Sequence, residues 1–366
     1  MVRTTRDASL DAMSIPTDYT IEPADLQTAT DAEVQEIAQF RQDLAIEQRP
    51  EDPPTPLPVI TQWLRARPPG QWRAIFVARD RTGRLAGYGV AVRNMKDTEN
   101  AHIRWSEIAV KPEHRRGGLG RALFAHVVRS VDGPSDDIVV ISETNDRVPS
   151  GEGFANAIGA KPGLPMKINQ LDLGKVDKAK VREWARAAPK GYRLETIDET
   201  VPEKLVKAFI QASEGINDMP RGDIAFNDWK LTEEQIRQRE SFFKQAGMTW
   251  WLLLAIDEAT GEGVGFTEVE FNPLDPHAIQ QEGTAVVAAH RGHGIGLWLK
   301  AVMLERVLAE RQDSRFIRTG NANVNANMLA INTKLGFTYA WQSTLWHLPI
   351  TDARKALAGD EAPARA

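Results

Sequence analysis

The stretch RRGGLG at residues 115–120 decides the fold of this chain of 366 residues. It follows an apolar run, EIAV at 107–110, and opens a run with helical periodicity, LGRALFAHVV at 119–128. A second stretch, RGHGIG at 291–296, has the same Arg-x-x-Gly-x-Gly spacing and begins 176 residues (291 − 115) after the first. A repeat of that length is too long for a solenoid and indicates two related domains.

The segments around the two stretches repeat as well. Strand-like runs at 73–80 and 85–93 precede the first stretch, and runs at 249–257 and 263–271 precede the second. Each pair is joined by a short turn containing glycine, which is typical of a β-hairpin. A further strand enters each motif, and after the motif each half continues with helix, strand, helix and strand.

This order predicts an α/β (α+β) chain with two domains, each a mixed, mostly antiparallel sheet with flanking helices. We place the N-terminal domain at 1–174, a linker helix at 175–191, the C-terminal domain at 192–352 and a disordered tail at 353–366. The proline-rich segment 49–58 is expected to form a long loop over the first domain.

Composition excludes several classes of protein. The chain is 42% hydrophobic and 26% charged, with a net charge of −5 and no dense Lys/Arg cluster, which argues against a nucleic-acid binder. It has no cysteine, so disulfides, thiolate nucleophiles and cysteine-based metal sites are excluded, and we expect no metal site. The N-terminus lacks an apolar core of signal-peptide length, and the longest apolar run, Trp250–Ile256, is too short for a membrane span. We therefore expect a cytoplasmic protein that does not enter membranes.

A strand, a glycine loop and a helix in that order form an anion site. The first backbone N–H groups of a helix have no partner, and that end of the helix carries partial positive charge. Glycines allow a bulky diphosphate to approach the backbone. Neither loop has the Gly-Lys-Ser/Thr of a P-loop, and Gly118 and Gly120 lack the third glycine of a dinucleotide fingerprint. The remaining solution is a coenzyme A loop.

Three segments carry a family resemblance. AVKPEHRRGGLGRALFAHVV at 109–128 resembles the coenzyme A-binding core of the GCN5-related N-acetyltransferase (GNAT) superfamily, and VVAAHRGHGIGLWLKAVML at 286–304 resembles a second copy. NVNANMLAINTKLGF at 323–337 resembles the family's final segment. The resemblance covers nearly the whole chain, in a tandem layout similar to that of mycothiol synthase and related acetyltransferases.

The resemblance implies a sheet splayed at the fourth strand of each half and acetyl-coenzyme A (acetyl-CoA) as cofactor. The diphosphate would lie on the loop amides, the pantetheine arm would pair with strand backbone, and Arg115 and Arg291 would brace the loops or contact phosphate. The implied cofactor-binding residues are Ile108, Val110, Arg115, Arg116, Gly117, Gly118, Leu119, Gly120 and Arg121 in the first half, and Thr284, Val286, Arg291, Gly292, His293, Gly294, Ile295, Gly296 and Asn325 in the second.

The implied reaction is direct attack of an amine on the thioester. An alkyl amine of pKa about 10.4 must first lose a proton, so a base is required. The base candidates are Glu107, Glu268 and Glu270, with Glu282 weaker, and for each a solvated strand acid is the alternative. Asn332 stands where the family often has a tyrosine acid, and it either hydrogen-bonds the cofactor or is structural.

The acceptor is expected to contact the segment 212–229. Its side chains Asn217, Asp218 and Asp223 suit an amine or hydroxyls, and a plain surface turn is the alternative. The predicted function is an N-acetyltransferase acting on a small polar amine, with the chemistry in the second half, in a monomer or homodimer. The alternative is a non-catalytic, coenzyme A-binding or scaffold protein.

Overall fold

Twelve strands form one continuous sheet in the computed structural model, which describes residues 16–131 and 136–358. The strands are β1 (Tyr19–Ala24), β2 (Gln71–Asp80), β3 (Leu85–Asn94), β4 (Ile103–Val110), β5 (Val139–Asn145), β6 (Lys161–Asp172), β7 (Tyr192–Asp198), β8 (Thr249–Asp257), β9 (Gly263–Asn272), β10 (Asp275–Val286), β11 (Phe316–Ala322) and β12 (Thr338–Pro349).

The helices begin where local sequence signals place them. Thr30 and Thr232 form capping boxes with Glu33 and Gln235 at two helix starts. No helix in the described stretches is both long and apolar enough to cross a membrane. The helices are α1 (Asp31–Gln48), α2 (Leu57–Arg65), α3 (Leu119–Ser130), α4 (Pro149–Ala157), α5 (Lys178–Arg186), α6 (Glu203–Ser213), α7 (Glu233–Ala246), α8 (Ile295–Glu310), α9 (Ala326–Leu335) and α10 (Ile350–Ala358).

The two halves exchange their last strands. The sheet order is β1-β2-β3-β4-β5-β12-β6-β11-β10-β9-β8-β7, so β12 from the second half pairs with β5, and β6 from the first half pairs with β11. At the centre β6 and β12 pair with each other in antiparallel orientation. The mixed, mostly antiparallel architecture is confirmed, and the strand exchange joins the sheets of the two halves into one.

Each half is splayed at its fourth strand, as expected. The parallel pairing of β4 with β5 is confined to residues 103–105 and 139–141. The pairing of β10 with β11 is likewise confined to 278–280 and 316–318. Beyond these residues the neighbouring strands separate, which leaves one edge of β4 and of β10 without a strand partner.

The ends of the predicted domains differ from the structure. Residues up to Ala358 complete α10, whose Ile350, Ala353 and Leu357 are buried against α3, so the expected disordered tail does not begin at 353. Residues 359–366 lie outside the described part of the chain. The predicted linker contains α5, which packs on α8, where the Trp298 indole donates to the carbonyl of Ala185 at 3.0 Å. The division into domains at 174 and 192 stays a prediction.

Two helical layers cover opposite faces of the second half. The alternation of side chains in β8 sends Trp251 and Leu253 toward the core under α5 and α8. Trp250 and Leu252 face the other core, which lies under α6 and α7. In β9, Phe266 shares that second face, so the period of two places Glu268 and Glu270 there as well.

A cover segment, residues 219–230, runs from the second half onto the first. Ile224 is buried with Ile103 and Leu345 on strands of both halves. Phe226 stacks on the exposed Trp105 with ring centroids 5.9 Å apart, and the carbonyl of Ala225 lies 2.8 Å from Nε2 of His102. The segment therefore ties the second half to β4 of the first.

Gly163 makes room for the cover segment, and this gives a first prediction. A Cβ at Gly163 would overlap Cδ1 of Ile224 and lie 2.8 Å from Nδ1 of His347. We expect Gly163→Ala to destabilise the protein by about 1–3 kcal/mol, the usual cost of overpacking, in urea unfolding. In a double-mutant cycle, Gly163→Ala and Ile224→Ala together should cost less than the sum of the single changes.

The matched control is Gly153, because a Cβ there meets nothing within 4 Å. Gly153→Ala should be neutral or slightly stabilising, since alanine is the better helix former. A Gly163→Ala variant as stable as wild type would contradict the close packing of Ile224 on β6.

Candidate active site

The two glycine loops have the same backbone geometry. Gly118 and Gly294 precede α3 and α8 with left-handed φ angles of 84° and 81°, and in the described chain no side chain caps either helix. The residue two positions earlier is also left-handed, with φ of 66° at Arg116 and 80° at Gly292. Each loop therefore presents helix N–H groups that no side chain caps, as an anion site requires.

The two arginines brace the loops. Nε of Arg115 donates to the carbonyl of Val110 and Nε of Arg291 to that of Val286, both at 2.9 Å. Arg115 also binds Glu47 in bidentate fashion at 2.7 and 2.6 Å, and Nη2 of Arg291 lies 2.6 Å from a carboxylate oxygen of Asp218. The two arginines were predicted either to brace the loops or to contact phosphate, and these bonds support the bracing role.

A tyrosine and histidine pair stands beside each loop, and the sequence reading missed it. The hydroxyl of Tyr19 lies 3.1 Å from Nδ1 of His114, and the hydroxyl of Tyr192 lies 2.9 Å from Nδ1 of His290. Nδ1 of the predicted His293 lies 3.2 Å from the carbonyl of His290. The repeat predicts this pair, because Tyr19 and Tyr192 are each the first residue of the first strand of their half.

The predicted pantetheine partners lie along the open strand edges. Ile108 and Val110 follow the last β4–β5 pair, Trp105 with Ile141, and Thr284 and Val286 follow the last β10–β11 pair, Gln280 with Arg318. The buried Thr284 hydroxyl lies 2.7 Å from the Thr267 hydroxyl, so the Thr284 side chain is already hydrogen-bonded within the protein. In each half the predicted strand residues thus lie on the open edge of the strand that precedes the glycine loop.

Three glutamates of the second half gather around one arginine. Glu268 is only 5% exposed and accepts hydrogen bonds from the Trp250 indole and from Arg239, both at 2.9 Å. Nη2 of the same arginine lies 3.7 Å from Glu270 on the same strand. The solvated-face alternative therefore does not hold for Glu268. Arg239 was missed from the sequence because only the packing of α7 brings it to β9.

The environment changes the proton affinity of two of these acids. Burial and the nearby Glu282 raise the pKa of Glu270 to about 7, against the lowering effect of Arg239. Desolvation by neighbouring groups and the charge of Glu268 also raise the pKa of Glu282, which lies on β10 with its side chain still exposed. A carboxylate with a pKa near neutrality is suited to accept a proton from a substrate at physiological pH.

The first half lacks this acidic group. The register pairs Gly87 with Val110 and Gly265 with Val286, so Val90 and Val92 occupy the places of Glu268 and Glu270. Both valines belong to the core under α1 and α2. The remaining predicted acid, Glu107, is paired with Arg41 at 3.1 Å. The carboxylates suited to base catalysis are concentrated in the second half.

The two asparagines predicted near the cofactor are engaged within the protein. Asn325 is the N-cap of α9, and its side chain accepts from the amide of Met328 at 3.2 Å. Asn332 is 1% exposed and accepts from Nζ of Lys300 at 2.6 Å. These contacts give Asn325 a helix-capping role and place Asn332 beneath the surface of the site.

The predicted acceptor residues have unequal positions. The Asn217 side chain bonds the backbone of Trp229 in both directions, at 2.9 and 2.8 Å, and therefore shapes the cover segment. Asp218 is held by the loop arginine Arg291. Asp223 is exposed, and its backbone amide donates to the carbonyl of Gly163 at 2.9 Å. Of the three side chains, the exposed Asp223 carboxylate is the one that neither bonds the backbone of the cover segment nor pairs with a loop arginine.

The segment 49–58 contacts both halves. In the first half, Glu51 accepts from Nη1 of Arg147 at 2.8 Å. Asp52 binds the buried Arg318 of β11 through two bonds of 2.5 and 2.6 Å and lies 3.1 Å from Nε2 of His277 on β10. Thr55 donates to Asp275 at 2.8 Å. A loop of the first half thus contributes to the face that carries Glu268 and Glu270.

Comparison with known families gives one match. Residues 37–143 match the model of the acetyltransferase (GNAT) family, a span that runs from α1 to β5 and includes the first glycine loop. Comparison with curated proteins gives no match.

Comparison with solved structures covers both halves. A tandem GNAT protein from the clavulanic acid biosynthesis pathway, without AcCoA, is 24% identical with a TM-score of 0.74, and the alignment covers 91% of this chain and 99% of that one. A GCN5-related N-acetyltransferase from Sphaerobacter thermophilus is 17% identical with a TM-score of 0.65, covering 92% and 97%. Saccharomyces cerevisiae N-myristoyltransferase with bound myristoyl-CoA is 11% identical with a TM-score of 0.58, covering 92% and 84%. These likenesses concern the fold.

Proposed function

We propose that this chain is a tandem acyltransferase of the acetyltransferase (GNAT) family, and that it transfers an acetyl group from acetyl-CoA to the primary amine of a small polar molecule. We place the chemistry in the second half. The observation that carries the proposal is the acidic cluster on β9 and β10, in which Glu270 has a pKa of about 7 and lies on the strand next to the open edge of β10.

The second loop has the shape that the cofactor requires. A Cβ built on Gly292 or Gly294 meets nothing within 4 Å, and no side chain in the described chain caps the helix behind them. The amides of residues 292–297 would hold the diphosphate, and the open edge of β10 at Thr284 and Val286 would pair with the pantetheine arm. A bound acetyl-CoA supplies a thioester, which an amine converts to an amide with release of the free thiol.

The acidic cluster selects and prepares the acceptor. Glu268, Glu270 and Glu282 face a single cation, Arg239, so an ammonium group is attracted to the excess negative charge. An alkyl ammonium of pKa about 10.4 is almost fully protonated at pH 7. The ionised Glu270 carboxylate takes that proton, directly or through one water, and leaves the amine nitrogen with a free electron pair.

The first half supports a second role, coenzyme A binding without catalysis. Its loop has the same left-handed geometry, but Val90 and Val92 replace the two acids, and Arg41 holds Glu107. Pro16 also lies 3.5 Å from a Cβ built on Gly118, whereas no atom of residues 16–131 or 136–358 lies within 4 Å of a Cβ built on Gly294. We therefore propose that this half binds the cofactor more weakly than the second, or only braces the sheet.

Calorimetric titration with acetyl-CoA tests both roles. We expect Gly294→Trp to weaken binding at the second half by about 100-fold or more, because the bulk displaces the diphosphate from several charge-assisted hydrogen bonds. Gly118→Trp should remove only the weaker site. Gly261→Trp is the matched control, since Gly261 also has a left-handed φ of 76° and open space, but lies in a hairpin turn.

The number of binding sites, and which substitution removes each, distinguish a transferase from a scaffold and one half from the other. Two sites, each removed by its own substitution, would make both halves cofactor sites, and a screen of amines by thiol release would then identify the acceptor. A single site lost only in Gly118→Trp would move the chemistry to the first half. A folded wild type that binds no acetyl-CoA would refute the transferase and leave a scaffold.

A further inference from the structure

A buried lysine stands behind the second glycine loop. Lys300 is 2% exposed, and its Nζ donates to Oδ1 of Asn332 at 2.6 Å and lies 5.1 Å from the centre of the Phe337 ring. Nδ2 of Asn332 in turn donates to Oδ1 of Asn321 at 2.6 Å. Three polar side chains thus form one chain of hydrogen bonds, the amide relay, inside an apolar layer.

The first half fills the same space with apolar groups. Lys300 is the sixth residue of α8, and the sixth residue of α3 is Phe124. Asn332 is the seventh residue of α9, and the seventh of α4 is Ala155. Both first-half residues are buried in the core. The fold therefore does not need a lysine here, and burying an ammonium group is costly.

The relay has a fixed direction. A protonated lysine can only donate, so Asn332 must turn its oxygen toward Lys300 and its NH₂ group toward Asn321. Asn321 must then present its own oxygen to Asn332, which leaves its NH₂ group as the far end of the relay. The charge on Lys300 thereby determines that the last group is a hydrogen-bond donor.

The far end of the relay lies at the groove. Arg318 makes the last pair of β11 with β10, and Asn321 follows three residues later on β11. The Asn321 side chain is partly exposed. Its backbone pairs with Lys167 of β6, so the other edge of the strand faces the space where β10 and β11 separate. A donor at this place is available to an acceptor atom of a bound ligand.

We propose that Lys300 is a positioning residue, and that through Asn332 it orients Asn321 to donate a hydrogen bond to the acyl carbonyl oxygen of the bound acyl-CoA. This inference rests on the proposed function. It assigns a recognition role to Asn321, which no sequence signal indicated, and it accounts for the lysine and asparagine that stand where the first half has Phe124 and Ala155.

The ionisation of Lys300 is consistent with this role. Burial lowers its pKa to about 7, and among the described residues no other charged group contributes to the shift. At pH 6.0 the amine is therefore mostly protonated and the direction of the relay is fixed.

The test is calorimetric titration at pH 6.0 with acetyl-CoA and with coenzyme A, in a Gly118→Trp background that silences the first half. Coenzyme A lacks the acyl carbonyl, so the ratio of the two affinities measures the proposed bond, and no acceptor is needed. Lys300→Met removes the donor that fixes the relay, and Asn321→Asp replaces the final donor by an acceptor. We expect each to weaken acetyl-CoA binding by about three- to tenfold, the size of one hydrogen bond, with coenzyme A affinity nearly unchanged.

Lys334→Met is the matched control, because Lys334 is an exposed lysine of α9 two residues after Asn332. It should keep the wild-type affinity ratio. A lower ratio of acetyl-CoA affinity to coenzyme A affinity in Lys300→Met and Asn321→Asp supports the proposal. If Lys300→Met does not fold, the result for Asn321→Asp decides. Folded variants that keep the wild-type ratio would overturn the relay alone. A background protein that binds neither compound would overturn the proposed function and the relay with it.

Discussion

Glu270→Gln is expected to lower kcat by about 100-fold or more, the usual contribution of a general base, with little change in the affinity for acetyl-CoA. The substitution keeps the shape of the side chain and the contact with Arg239 but cannot accept a proton. The measurement is the steady-state rate of thiol release with an amine from the acceptor screen. Glu262→Gln is the control, because Glu262 is exposed in the turn before β9 and should keep the wild-type rate.

The pH dependence follows from the pKa of Glu270, which burial and Glu282 raise to about 7. Below pH 7 the carboxyl is protonated and inactive as a base, so kcat should rise with pH and level off above 7. Glu282→Gln removes a neighbouring negative charge and should move this rise to lower pH, while Glu270→Gln should abolish it. A larger loss of rate in Glu107→Gln than in Glu270→Gln would place the reaction in the first half.

Asp52→Ala is expected to destabilise the protein by about 3–5 kcal/mol, the cost of leaving a buried charge without its partner. Arg318 is only 2% exposed, and Asp52 supplies two of its hydrogen bonds, at 2.5 and 2.6 Å. The free energy of unfolding from urea titration measures the effect. Asp52→Ala combined with Arg318→Met should recover part of the loss, because the unpaired cation is removed.

A control substitution and the pH dependence of stability test this prediction further. Asp18→Ala breaks an exposed ion pair with Arg81 and should cost well under 1 kcal/mol. Burial acts to raise the pKa of Asp52, but the hydrogen bonds and charge of Arg318 outweigh it, and the pKa is lowered. The stabilisation from Asp52 is therefore present above the unfolded pKa of about 3.9 and is lost as the pH falls below it. An Asp52→Ala variant as stable as wild type at pH 7 would show that the 49–58 loop is not anchored on β11.

The sequence predicted the parts of the fold that local patterns encode. The period-two runs, the glycine turns and the repeated Arg-x-x-Gly-x-Gly loops identified both halves and the two strand–loop–helix units at Gly118 and Gly294. Alternation in FTEVEF placed Glu268 and Glu270 on one face. These features depend on residues close together in the chain.

The remaining features depend on distant residues. The pattern of β12 identifies a strand but not its partner, so the exchange with β6 was not predictable from periodicity. Arg239 and Glu268 belong to elements separated by a whole strand, and the contact of Asp52 with Arg318 spans 266 residues. Within the helical pattern of its own half, Lys300 carries no signal that it is buried. Aligning it with Phe124 across the internal repeat was the signal that would have marked it as buried.

The strand exchange also sets the order in which the chain is completed during synthesis. The first half lacks a neighbour for the outer edge of β5 until β12 has left the ribosome, because β12 is the last strand of the chain. The residues between the two strands, 146–337, are therefore made while this edge is unpaired, and unpaired edges are sites of aggregation. Two independently closed domains would cover the same edge much earlier in synthesis.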